Sequence, residues 1–103
     1  MRGENNNSNE QSWKLFVLLL RKIAESKGIS QGQLADLTGL KQSNISRMFN
    51  LQYCPNMRTF TNVSKAIGVN LFIEDKTGDT DITATFNQAM GELGRRTESS
   101  SNN

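Results

Sequence analysis

The sequence of 103 residues contains no histidine and a single cysteine, Cys54. It therefore cannot assemble a metal site from several His and Cys ligands, a catalytic dyad or triad that needs histidine, or an intramolecular disulfide. We expect no catalytic residue, no metal site and no cofactor. Cys54 is expected to be a small filler that is at least half-buried.

Long apolar runs are also lacking. The longest, residues 15–20, has six residues, whereas a membrane-spanning helix needs roughly 20. The first 12 residues contain none of the apolar centre that a signal peptide requires. We expect a cytoplasmic protein that does not associate with membranes.

The net charge of +2 is unevenly distributed along the chain. Residues 13–68 contain eight basic and two acidic side chains, a net charge of +6, whereas the chain from Val69 onward contains three basic and six acidic ones, a net charge of −3. The basic segment fits a polyanionic partner, because each Lys or Arg that reaches a phosphate helps to release a condensed counterion. The alternative is a solvated surface with a chance imbalance.

Composition divides the chain into four parts. Residues 1–11 and 97–103 are polar and have too few apolar groups to repay the entropy of ordering, so they are predicted to be a disordered arm and a disordered tail. Residues 12–69 are predicted to form a helical domain. Residues 70–96 form a separate segment with a different pattern.

Four helices are predicted within residues 12–69 from apolar positions that recur every three or four residues. Ser12 is expected to cap the first, and Ser30 with Gln33 forms a capping box for the second, which ends at Gly39. A third helix follows, and Asn56 caps the fourth. The residues predicted to face the core from the second, third and fourth helices are Leu34, Ala35, Leu37, Ile45, Met48, Phe49, Met57, Phe60, Val63 and Ile67.

The segment 70–96 combines two patterns. Apolar residues alternate in residues 70–75 and 81–86, which predicts a short β-hairpin with Gly78 as the left-handed turn residue. A last amphipathic helix is predicted from its apolar stripe, which either docks on the chain's own core or forms a dimer contact. The stripe consists of Phe86, Ala89, Met90 and Leu93.

The spacing around Gly39 is more specific than a helical bundle requires. A small residue at Ala35 lets the third helix cross closely over the second, Gly39 makes the turn, and Ile45 and Met48 anchor the crossing helix from beneath. With Gln31, these residues resemble the helix-turn-helix of the lambda-repressor and Cro-like (XRE-type) family. The resemblance extends over residues 13–70. One departure from the family pattern is Lys41, where a Ser or Thr commonly caps the reading helix.

The fold class predicted from the resemblance and the residues together is mainly α. It is a four-to-five-helix lambda-repressor-like domain followed by a short β-hairpin and a C-terminal amphipathic helix. The resemblance implies that the third helix, from about Gln42 to Asn50, lies in the major groove of DNA. The implied base contacts are Gln42, Ser43, Asn44 and Arg47, and the implied phosphate contacts are Gln31, Lys41, Asn50, Tyr53, Arg58 and Thr59. The alternative is an ordinary polar helix surface.

The leading hypothesis is a sequence-specific regulator that binds double-stranded DNA. It is expected to be a repressor that binds a palindromic operator as a homodimer, with the hairpin and last helix as the dimer contact. The alternative is an antitoxin-type module that binds a toxin or another protein and regulates its own operon. An enzyme is a remote third reading, because its only support is a cluster of carboxylates, Asp75, Asp79 and Asp81.

Overall fold

The computed structural model describes the backbone of residues 2–101 and the side chains of residues 9–94. Residues 2–101 form five helices and no β-strand. The helices are α1 (Arg2–Ser26), α2 (Gln31–Thr38), α3 (Gln42–Phe49), α4 (Met57–Ile67) and α5 (Ile82–Ser101). The chain divides into two units, Met1–Leu71 with α1 to α4 and Phe72–Asn103 with α5.

The core of the first unit is formed by apolar side chains from all four of its helices. α2 packs against α3 and α4, and α1 packs against α3 and α4. Burying a Val, Leu, Ile, Phe or Met side chain stabilises a fold by about 1.5–3 kcal/mol, so this small cluster supplies most of the driving force. Its buried members are Val17, Leu20, Ala24, Leu34, Ile45, Met48, Phe49, Val63 and Ile67.

The turn between α2 and α3 is the one that the sequence predicts. Gly39 has a φ of 78°, and its N–H donates to the Ala35 carbonyl at 2.9 Å. The Thr38 hydroxyl donates to the Leu34 carbonyl at 2.6 Å, and Asn62 Nδ2 donates to the Thr38 carbonyl at 3.2 Å. The carbonyl groups at the end of α2 therefore accept hydrogen bonds both from neighbouring residues and from α4.

Two residues predicted to face the core are exposed. Leu37 is 65% exposed and Met57 is 77% exposed. The protected face of α2 carries Leu34 and Thr38, which turns Leu37 toward solvent. Met57 is the first residue of α4 and lies almost two turns before the first buried residue of that helix. The prediction for Cys54 is also wrong, because its side chain is exposed.

The predicted start of the first helix is also wrong. Ser12 lies inside α1, which begins at Arg2. The Trp13 indole N–H donates to Glu10 Oε1 at 2.8 Å, a contact across one helical turn that passes Ser12. The disorder predicted for residues 1–11 and 97–103 stays a prediction, and most side chains of both segments lie outside the described residues.

The predicted β-hairpin is absent from the described chain. Residues 70–75 form no strand, and residues 82–86 belong to α5. Asp81 caps α5, because its Oδ1 accepts the Ala84 N–H at 3.1 Å and its carbonyl accepts the Thr85 N–H at 2.9 Å. Ile82 and Phe86 are four residues apart, so they share a face in a helix. The alternating apolar pattern therefore predicted a strand in a segment that is helical.

The loop before α5 closes around the side chain of Asp75. Its Oδ1 accepts the Thr77 N–H at 3.1 Å and the Thr77 hydroxyl at 3.0 Å, and its Oδ2 accepts the Thr80 N–H at 2.8 Å. Hydrogen bonds from Thr80, chiefly its hydroxyl, and from Thr77 lower the pKa of Asp75 from 3.8 to about 2. Gly78 has a φ of 76°, so its predicted left-handed conformation is confirmed.

Gly39→Ala should destabilise the first unit, because an L-residue in the left-handed conformation costs about 1–2 kcal/mol. The Tm should fall by roughly 4–8 °C per kcal/mol for a domain of this size, as measured by circular dichroism. No atom beyond Gly39 and its two chain neighbours lies within 4 Å of the added Cβ, so overlap with the rest of the fold does not contribute. Gly32→Ala is the matched control.

Gly32 lies in α2, and its added Cβ would meet Gln42 Oε1 at 3.7 Å, an ordinary contact. Since alanine favours a helix over glycine by roughly 0.5–1 kcal/mol, Gly32→Ala should leave the Tm unchanged or raise it. Equal Tm values for the two variants would contradict a left-handed turn at Gly39.

The Asp75 loop should depend on pH in a defined direction. Because the folded-state pKa is depressed, the stabilisation by the carboxylate is present above pH 3.8 and is lost as the pH falls through about 2. An NMR titration of the Asp75 carboxyl carbon should show a midpoint near pH 2. Thr80→Val should move the midpoint upward, and a midpoint near 3.8 in the parent chain would contradict the observed hydrogen bonds.

Candidate nucleic-acid interface

The start of α2 is built by the capping box that the sequence predicts. Ser30 Oγ accepts the Gln33 N–H at 3.0 Å, and Gln33 Oε1 accepts the Ser30 N–H at 2.8 Å. Gln31 is the first residue of α2 and is half-buried. It lies where exposed amide hydrogens and the helix dipole favour an anionic oxygen.

α3 is held by one buried face. Ile45, Met48 and Phe49 are buried, with exposed fractions of 2% or less. Helical spacing then places Ser43 and Arg47, four residues apart, on the opposite side. Both are exposed, as is Gln42 at the start of the helix, whereas Asn44 is half-buried.

The first residue of α3 is Gln42, and its N-cap is Lys41. Lys41 has extended backbone angles, φ −72° and ψ 139°, and its side chain makes no capping hydrogen bond. Its carbonyl accepts the Asn44 N–H at 3.0 Å and the Ile45 N–H at 3.2 Å. The helix thus begins in an ordinary way without the usual Ser or Thr, and the exposed Lys41 side chain stands at its positive end.

α3 ends in a common helix-capping motif, but its left-handed position is occupied by a residue other than glycine. The Gln52 N–H donates to the Arg47 carbonyl and the Leu51 N–H to the Met48 carbonyl, each at 2.9 Å, which is the hydrogen-bond pattern of a Schellman cap. The left-handed residue is Leu51, with a φ of 63°. Its side chain packs against the core, which compensates for the backbone strain.

Two basic residues of the first unit cap helices. Arg21 Nη1 donates to the Phe49 carbonyl at the end of α3 at 2.9 Å, and Lys27 Nζ donates to the Ile67 carbonyl at the end of α4 at 2.8 Å. Cations at helix C-termini are stabilising, because they satisfy carbonyls that lack an intrahelical partner. Arg21 and Lys27 therefore have a role within the fold, which a count of basic residues does not reveal.

A shallow cleft of about 430 Å³ lies between α3 and the turn after it. It is lined by Asn44, Arg47, Gln52 and Tyr53. Asn44 Oδ1 accepts a hydrogen bond from Arg47 Nη2 at 2.6 Å, and the Asn44 carbonyl accepts one from the Tyr53 hydroxyl at 3.2 Å. Gln52 was missed by sequence reasoning, because no periodicity marks a loop residue that reaches this cleft.

The other sequence-predicted phosphate contacts flank α3 at its end and on α4. Asn50 is exposed and follows α3, and its Nδ2 lies 3.5 Å from Ser46 Oγ. Arg58 is exposed in the first turn of α4. Thr59 is half-buried beside it, and its N–H donates to Asn56 Oδ1 at 2.8 Å, which confirms the predicted cap.

The described part of the chain lacks the features of two other classes of site. No helix there is long and apolar enough to cross a membrane. No group of three or more His, Cys, Asp or Glu side chains among those residues is arranged to hold a metal ion.

Comparison with known proteins agrees with this geometry. A family model described as helix-turn-helix matches residues 20–73, slightly more than half of the chain and all of α2, α3 and α4. No curated protein and no solved structure matches the chain. The resemblance identified from Gln31, Ala35, Gly39, Ile45 and Met48 is therefore confirmed, and the chain belongs to the XRE-type, lambda-repressor/Cro-like helix-turn-helix family of DNA-binding transcription regulators.

Proposed function

We propose that the protein binds double-stranded DNA in a sequence-specific way and acts as a transcriptional repressor. The proposal rests on the way α3 is packed against the core, with one face buried and the opposite face exposed. Its buried residues Ile45, Met48 and Phe49 hold the helix in place, while Ser43 and Arg47 stand exposed on the other side. A helix fixed in this way can enter the major groove without reordering its backbone.

The chemistry of the exposed residues supports base readout. Gln42 can pair with adenine through its amide, Arg47 with guanine through its guanidinium, and Ser43 can donate or accept. Phosphate contacts frame them, and they set the register of α3 on the duplex without reading sequence. The proposed phosphate contacts are Gln31, Lys41, Asn50, Arg58 and Thr59.

We also propose that the protein acts as a homodimer through α5. A single module of this size buries too little surface for typical specific affinity, whereas a symmetric dimer places two reading helices roughly 34 Å apart on a palindromic operator. The apolar stripe defined above lies within the described side chains of α5 and is exposed, with 61% exposure at Phe86. Its other members, Ala89, Met90 and Leu93, are exposed as well.

In vitro selection from random duplexes should yield a palindromic site, and two variants should lose binding in different ways. Arg47→Ala should relax specificity at one base pair and cost about 1–3 kcal/mol at that site. Lys41→Ala should weaken all sequences alike and reduce the salt slope by about one. Fluorescence anisotropy over a range of salt concentrations measures both effects.

Lys65→Ala is the control for Lys41→Ala, because Lys65 is also exposed in the first unit and is not among the proposed contacts. Its salt slope should equal that of the parent chain. If Arg47→Ala and Lys41→Ala bound random and selected DNA as well as the parent does, the assignment of α3 to the groove would be wrong.

Phe86→Glu and Met90→Glu should convert the dimer to a monomer, because each places a charge within the apolar stripe that the proposed contact buries. Gln88 is three or four residues from no member of the stripe, so it lies on another side of the same helix, and Gln88→Glu should leave the dimer intact. Light scattering measures the mass of each chain. A monomeric parent would refute the homodimer and leave the α5 stripe for a different protein partner, such as a toxin.

A further inference from the structure

The side chain of Asn44 is turned along α3 toward Arg47. Its Oδ1 accepts the 2.6 Å hydrogen bond from Arg47 Nη2, and Asn44 is half-buried whereas Arg47 is exposed. An asparagine that reads adenine uses Oδ1 and Nδ2 together on the base edge. In this structure Oδ1 instead serves the neighbouring guanidinium.

The hydroxyl of Tyr53 is also engaged within the protein. It donates to the Asn44 carbonyl at 3.2 Å and thereby ties the turn after α3 to the outer side of the helix. A phenol has one hydrogen to donate, and a phosphate oxygen only accepts. In this arrangement Tyr53 has no hydrogen to offer a phosphate.

Arg47 lines the same cleft as Asn44 and Tyr53. Asn44 lies one helical turn before Arg47, and Tyr53 belongs to the turn that follows the helix. The Arg47 carbonyl also accepts the Gln52 N–H at 2.9 Å, so the backbone of Arg47 is joined to the same turn.

We propose that Asn44 and Tyr53 are positioning residues that hold Arg47 for a guanine of the operator. This rests on the proposed function, and it replaces the base contact predicted for Asn44 and the phosphate contact predicted for Tyr53. A guanidinium has five N–H donors, so one hydrogen bond to Asn44 leaves enough for the N7 and O6 atoms of guanine. Holding a flexible arginine beforehand reduces the entropy lost on binding.

The test uses the full chain and duplexes that differ only at the base pair whose recognition is lost in Arg47→Ala. The readout is the ratio of Kd values for the adenine and guanine duplexes. Asn44→Ala should lower this ratio about 3- to 10-fold, the effect of releasing one ordered side chain. Tyr53→Phe should lower it in the same direction, and thermal melts should show that both variants remain folded.

Asn44→Asp is the conservative rescue, because it keeps the Oδ1 acceptor. Its negative charge weakens every duplex, but the ratio should stay at the parent value. Lys41→Ala is the matched control for a phosphate contact, and it too should leave the ratio unchanged. In the double variant that combines Asn44→Ala with Arg47→Ala, the ratio of Kd values should be no lower than in Arg47→Ala alone.

Three results would overturn the assignment of Asn44. They are an unchanged ratio in Asn44→Ala, a ratio in Asn44→Asp as low as in Asn44→Ala, and a loss of discrimination in Asn44→Ala at a base pair other than that of Arg47. An unchanged ratio in Tyr53→Phe would remove Tyr53 from the assignment. If the parent chain prefers no duplex at all, the proposed function itself fails, which is a different outcome from each of these.

Discussion

The position of α3 depends on one packing constraint. Ile45 and Met48 must be buried in the same core as Leu34 while the chain reverses direction over the few residues around Gly39. The left-handed backbone at Gly39 allows the reversal, and Asn62 of α4 satisfies the last carbonyl of α2. Because these groups are fixed by burial and hydrogen bonds rather than by a ligand, the outer side of α3 is already formed before any partner binds.

Five basic residues of the first unit fall into two groups with different physical roles. Arg21 and Lys27 donate to carbonyls at the ends of α3 and α4, and so they stabilise the fold. Lys41, Arg47 and Arg58 are exposed around α3. A count of charges along the chain treats both groups alike, because the count contains no information about which cation caps a helix within the fold.

In the second unit, local hydrogen bonds decide whether one apolar pattern forms a β-strand or a helix. Ile82 and Phe86 fit an alternating strand and also fit one face of a helix. Asp81 accepts the Ala84 N–H and so caps a helix at this point. In the loop before it, the side chain of Asp75 accepts the backbone N–H of Thr80. The helix satisfies its own backbone groups within one segment, whereas an isolated two-stranded hairpin is marginal without a packed face.

The sequence by itself determined the family. From Ser30 onward, it also determined where the helices of the first unit begin and end. The capping box at Ser30, the turn at Gly39 and the cap at Asn56 depend on hydrogen bonds between residues three or four apart, which a linear pattern contains. Only the tertiary structure decided which predicted core residues stay in water, as Leu37 does, and which polar groups meet across the fold. The bond from Tyr53 to Asn44 joins residues 9 positions apart and the bond from Arg21 to Phe49 joins residues 28 apart. The first pair forms because the turn after α3 folds back on the helix, and the second forms because α1 packs against α3. No short-range spacing encodes either pair.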